Sequence, residues 1–231
     1  MTAKKQFAAT DIFMLVLMAC TAILITVAGI RFRQSFLRIL PLYISLIVGL
    51  LQSRVNRYAS LVGSLNSLLY GAVYFYYGLY GSLFSAVLFS FPIQLVTFIR
   101  WNKNKWEHST VLRKLNFKQR LVLSVCFTAA LIAMWIILPL LGSQYVFLDA
   151  LTNILGIVIY FLTMFAYIEY TFLMIVNGVI GTALYISMLG DSPEMTTYLI
   201  YSVYSFICIS IAFFEAKKLY CDQQAEVKNE H

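Results

Sequence analysis

Two carboxamides sit in matching surroundings. Asn66 precedes Tyr74 by the same interval that separates Asn177 from Tyr185. On an α-helix the Asn, the residue four on and the Tyr fan across one side. That side reads Asn66, Tyr70, Tyr74 in one stretch and Asn177, Gly181, Tyr185 in the other. A third stripe carries Ser90, Gln94, Thr97 and Trp101 at helical spacing. Amides offer donors and acceptors, and Trp offers a ring face with one donor. The mixture suits recognition of a flat, hydrogen-bonding ligand. An amide left unpaired in hydrocarbon costs several kcal/mol, so each must face protein or a cavity. The competing reading is that these groups join helices to one another, as polar residues in membranes often do.

Bond-making chemistry is not in view. No nucleophile and base share a motif, and there is no phosphate loop of the G-x-x-x-x-G-K-[ST] type. His108 and His231 fall in polar segments, and Cys20, Cys126, Cys208 and Cys221 stand singly, without metal-ligand or disulfide spacing. No Asp, Glu, Lys, Arg or His lies near the centre of an apolar stretch. Asp11, Asp149 and Glu169 sit at stretch ends. A proton-driven carrier normally needs an intramembrane relay of such groups. Uncoupled passage is favoured, with no cofactor, no metal and no enzymatic activity.

The elements that must position these residues are membrane helices. Apolar residues make up 61% of the chain and charged residues 12%, against about 25% charged in soluble domains. Eight apolar segments cover roughly 11–30, 37–53, 59–79, 82–101, 120–141, 146–167, 170–189 and 195–216. Pro92 is expected to break the fourth helix locally and free backbone carbonyls. The run after Lys4 and Lys5 is too long for a cleavable signal core.

The net charge of +7 matters less than its placement, which reports orientation and not nucleic-acid binding. Lys and Arg gather near residues 4–5, 54–57, 100–120 and 217–218, whereas the loops near 80, 143 and 191 hold none. Eight spans then put both termini and the basic loop in the cytoplasm. That loop, with Trp101 and Trp106, reads as anchor and topology determinant, though a cytoplasmic partner could use the same surface. Arg31, Arg33 and Arg38 fall on the outer side, where they are expected to reach headgroups.

Spans two to four and six to eight form two triplets, and a single linking span gives both the same orientation. That is the parallel-repeat plan of SWEET carriers. The domain reading is an extra N-terminal helix (1–36) and an all-α transporter core (37–218). The core holds repeat one (37–106), a linker helix (119–141) and repeat two (145–218). A polar tail (219–231) follows and is expected to be disordered. Two further stripes, Ser45, Gly49, Gln52, Asn56 and Asn153, Gly156, Tyr160, read as helix-packing faces.

The segment F-P-I-Q-L-V-T-F-I-R-W (91–101) resembles a signature of the PnuC family, bacterial transporters of nicotinamide riboside and related vitamin precursors. In that signature an amide residue stands seven positions before a Trp, and Gln94 and Trp101 match it. S-L-N-S (64–67) and E-Y-T-F-L-M-I-V-N (169–177) resemble two further family segments. The likeness covers about residues 37–218. It implies a seven-helix, SWEET-like core in a bacterial cytoplasmic membrane, moving its cargo down a gradient while a cytoplasmic kinase traps it. A homo-oligomer is compatible with it. The family's aromatic pair before the last Asn becomes Tyr170 and Leu173, and its Gly and Trp between the amide and the Trp become Thr97 and Phe98. The resemblance implies that Asn66, Gln94 and Asn177 hydrogen-bond the cargo while Phe98, Trp101 and Tyr170 pack against it. Thr97, Tyr70, Tyr74 and Tyr185 complete the candidate set. Family cargoes also include thiamine and riboflavin, so the substrate stays open. A vitamin-binding subunit of an energy-coupling-factor transporter has the same size and composition. A scaffold or intramembrane enzyme is disfavoured by the missing catalytic groups.

Overall fold

The structure, a computed structural model, describes residues 2–76, 83, 85–140 and 146–229. The turns expected near 80 and 143 lie outside them. Among the described residues there are eight α-helices: α1 (Thr2–Arg31), α2 (Phe36–Ser53), α3 (Tyr58–Tyr76), α4 (Phe91–Lys103), α5 (Phe117–Leu140), α6 (Val146–Met164), α7 (Glu169–Met188) and α8 (Thr196–Asn229). Six of them, α1, α2, α5, α6, α7 and α8, are long and apolar enough to cross a bilayer. A small antiparallel hairpin, β1 (Lys105–Trp106) with β2 (Ser109–Thr110), follows α4.

Six helices close a ring. α2 packs on α3, α3 on α4, α4 on α6, α6 on α7, α7 on α8, and α8 returns to α2. α1 lies outside against α2 and α8, and α5 rests on α6. The offset that carries Asn66 onto Asn177 also relates the two triplets. It sets the end of α2 on the end of α6, the start of α3 on the start of α7, and Ser85 on Thr196, where α8 begins. It further carries Val55 onto Ala166, and both adopt left-handed backbone, at φ 50° and 58°. Each terminates its helix in the same way. Val55 N–H donates to Gln52 O and Asn56 N–H to Leu51 O, while Ala166 N–H donates to Thr163 O and Tyr167 N–H to Leu162 O. That is the paired bonding of a Schellman cap, here without the usual glycine.

The fourth helix breaks where Pro92 stands. Proline supplies no N–H to the carbonyl four residues back, and the residues ahead of it, Ser85–Ser90, are wound as a π-helix.

Polar bonds tie the two ends of the ring. At one end Asp11 pairs with Arg54, Arg57 N–H donates to His108 O, and Arg113 N–H to Ala166 O. At the other, Arg38 pairs with Glu194 at 3.2 Å and lies over the Tyr198 ring. Arg38, expected to reach lipid headgroups, is thus held by a carboxylate of the turn before α8. The stretch after Lys218, expected to be a disordered tail, is helical through Asn229. Leu219 is buried beside Trp101, Leu112 and Tyr170. Buried Gln223 accepts from Leu112 N–H and donates to Thr110 O. Loop backbone captures a polar side chain that composition alone would leave in water.

Candidate functional site

The ring encloses a cavity of about 390 Å³. All six ring helices line it, and no Asp, Glu, Lys, Arg or His is among the described lining residues. Five aromatic side chains stand in its walls: Trp101, Tyr160, Tyr170, Tyr185 and Tyr201. Between them stand the carboxamides of Gln52, Asn56, Gln94 and Asn177.

Trp101 is fixed from two sides. Its Nε1–H donates to Thr163 O at 2.8 Å, joining α4 to α6. Its ring meets Tyr170 edge-on at 6.3 Å, a favourable quadrupolar arrangement. Thr97, one turn earlier on the same face, returns its hydroxyl to Ile93 O at 2.7 Å, so it offers the cavity mainly a methyl group. Gln94 Nε2 donates to Ser67 Oγ at 3.0 Å and to Ser90 Oγ at 2.9 Å. Its Oε1 occupies the space where a side chain on Gly63 would begin. Tyr185 lines the other reach of the cavity and packs on Tyr198 at 5.9 Å.

Asn66 and Asn177 each keep a buried Oδ1 with no partner among the described residues, but of the two only Asn177 faces the cavity. Such orphaned acceptors are rare and call for an explanation.

Six of the residues singled out from sequence meet on this cavity: Gln94, Thr97, Trp101, Tyr170, Asn177 and Tyr185. Three do not line it. Asn66 is buried between α2 and α3, where its Nδ2 donates to Pro41 O at 3.2 Å and Ser45 Oγ at 2.8 Å. Tyr70 Oη meets the same Ser45 hydroxyl at 3.4 Å. Phe98 turns away from Thr97 and stacks on Tyr58 at 5.6 Å. Neighbouring helix positions diverge by about 100°, so Thr97 and Phe98 cannot share a face. The Tyr74 side chain lies outside the described residues.

The two stripes read as packing faces divide. Ser45 and Gly49 do pack, but Gln52, Asn56, Gly156 and Tyr160 line the cavity. Tyr201 and Ser205 join them from α8. The repeat offset could have found both, since it carries Ser90 onto Tyr201 and Gln94 onto Ser205. Among the described residues no cluster of His, Cys, Asp or Glu could hold a metal.

Comparison with known proteins agrees with this architecture. Residues 35–215 match the family model described as nicotinamide mononucleotide transporter. The fold superposes on the crystal structure of the vitamin B3 transporter PnuC with a TM-score of 0.73 at 20% identity, covering 91% of this chain and 92% of that one. No curated protein sequence matches the chain. The chain is thus a multi-pass membrane transporter for a small molecule, not an enzyme, and it belongs to the nicotinamide mononucleotide transporter (PnuC) family.

Proposed function

We propose that this transporter carries a ribosylated vitamin precursor, nicotinamide riboside before others, by facilitated diffusion. The observation that carries this reading is the uncharged, ring-walled cavity with an orphaned carboxamide at Asn177. A pyridinium ring is a flat cation, and aromatic faces attract such cations without a counter-charge. A phosphorylated cargo fits poorly. It brings a charge of about −1.5 to −2, and burying that charge with no cation nearby is costly. The unphosphorylated nucleoside is therefore favoured over the mononucleotide.

No Asp, Glu, Lys, Arg or His is among the described residues lining the cavity, which supports passage without proton or ion coupling. Access then alternates as the two triplets, read as parallel repeats, rock about the enclosed site. Phosphorylation by a cytoplasmic kinase keeps the cargo inside. The end bearing Arg54, Arg57 and the basic loop faces the cytoplasm of a bacterial cell, as the positive-inside rule requires, and both chain ends lie there with it.

Purified protein in liposomes tests this directly. Uptake of labelled nicotinamide riboside should follow its gradient alone, resist proton and sodium ionophores, and be poorly inhibited by the mononucleotide. No uptake above that of empty liposomes overturns the assignment, and collapse with an ionophore overturns its uncoupled part.

A further inference from the structure

We infer that Tyr160 binds the cargo as a hydrogen-bond donor, and that Ser90 and Ser67, which lie behind the cavity wall, are positioning residues for it. The inference rests on the transport reading above and adds residues to its site. Tyr160 stands on α6 and lines the cavity. Its oxygen accepts from Ser90 Oγ at 3.3 Å. A phenol that accepts one hydrogen bond still holds its own proton, and among the described residues no acceptor takes it. The groups able to receive it must come from inside the cavity.

The Ser90 hydroxyl is itself held. It receives one proton of the Gln94 amide at 2.9 Å and lies 2.8 Å from Ser67 Oγ, which receives the other amide proton at 3.0 Å. Ser67 donates back to Gly63 O at 3.0 Å. Both amide protons of Gln94 are therefore committed to the two serines, and its Oε1 is lodged against Gly63. The cluster ties α3 to α4, and through Ser90 reaches α6 in the other triplet. Ser90 ends the π-wound turns ahead of Pro92, a placement that aims its hydroxyl across the ring.

This arrangement gives Gln94 a different part from Asn177. The Gln94 amide holds the wall, and the phenol of Tyr160 presents the resulting donor. The complementary cargo offers a carbonyl or sugar oxygen to Tyr160 and a donor to Asn177 Oδ1.

Binding of nicotinamide riboside to the purified full chain, measured by calorimetry in detergent, tests the relay with four variants. Tyr160→Phe should weaken binding about ten-fold, the loss of one hydrogen bond. Ser90→Ala should weaken it about three- to five-fold although Ser90 touches no cargo, and Ser90→Thr, which keeps the hydroxyl, should restore it. In the Tyr160→Phe background, Ser90→Ala should add little, because both act through one proton. Unfolding temperatures without cargo should stay close to wild type for Tyr160→Phe and Ser90→Thr. Unchanged affinity in Tyr160→Phe overturns the inference. Full additivity of the two substitutions overturns the relay through Ser90. Wild-type protein that binds no nicotinamide riboside overturns the transport reading, and this inference with it.

Discussion

The two triplets spend the same frame on different ends. One offset pairs the ends of α2 and α6, the starts of α3 and α7 and the left-handed caps, yet the interiors diverge at corresponding positions. In the first triplet Asn66 is met by Ser45 across the helix pair. In the second the offset puts Gly156 where Ser45 stood, and among the described residues the Asn177 amide nitrogen finds no such acceptor, while the Oδ1 of both Asn66 and Asn177 stays buried without a partner. Tyr70 of the first corresponds to Gly181 of the second. The glycines divide the same way. A methyl group on Gly49 would press on Tyr204 at 2.9 Å, and one on Gly63 would strike the Gln94 amide, whereas Gly156 and Gly181 have nothing within 4 Å. Gly49 and Gly63 let helices close up in the first half, and Gly156 and Gly181 leave space in the second, where Gly178 alone of the three packs closely, against Phe206. The first triplet is a packed wall and the second makes most of the cavity, so equivalent positions do not have equivalent tasks.

Moving first-triplet residues into the second should erase that difference. Gly181→Tyr has the largest expected effect. It installs the ring that Tyr70 supplies in the first half, at a cavity position where an added Cβ meets nothing within 4 Å. Uptake should fall to background while the unfolding temperature holds, and retained uptake would mean that the cargo does not use this cavity. Asn177→Ala comes next. It removes an acceptor that no protein donor uses, so cargo affinity should fall about ten-fold or more with apo stability unchanged or higher. Asn66→Ala should do the reverse. It strips the donor from Pro41 O and Ser45 Oγ, costing about 1–3 kcal/mol of stability and little affinity. If the two Asn variants behaved alike, the division of labour would be wrong. Gly156→Ser is milder. It restores the residue type found beside Asn66, and should give Asn177 an internal partner worth about 0.5–1.5 kcal/mol of stability. The matching loss of affinity, measured by calorimetry, should be a few-fold.

Much of this frame was legible in the chain. Apolar length gave the helices, Lys and Arg placement separated the two ends of the ring, and the offset from Asn66 to Asn177 also pairs the ends of α2 and α6 and the starts of α3 and α7. Gln94, Thr97 and Trp101 were found because a polar stripe on an apolar helix stands out. Which member of a symmetric pair stays open could not be read this way, because it depends on a residue of the facing helix. Asn66 and Asn177 look alike until Ser45 and Gly156 are brought beneath them. Tyr160 was placed on a helix-packing face for a related reason, as the stripe Asn153, Gly156, Tyr160 looks the same whether it meets a neighbouring helix or a cavity. Gln223 was misread because its partners are backbone groups of Thr110 and Leu112, far off in sequence.

Gly49→Ala should have the smallest effect on transport and gives the sharpest control. Its counterpart under the offset is Tyr160, a cavity residue, so a symmetric view would place Gly49 at the site too. The structure instead sets it against Tyr204 and Cys208, where an added methyl group would lie 2.9 Å and 3.3 Å from ring carbon and sulfur. Tyr204 is buried and donates to Leu46 O at 2.7 Å, so it has little freedom to retreat. Overpacking of this kind costs about 1–3 kcal/mol. The unfolding temperature in detergent should therefore drop, while affinity for nicotinamide riboside, measured below that temperature, should match wild type. An affinity loss as large as that of Tyr160→Phe would show that the first triplet's packed wall takes part in cargo binding after all.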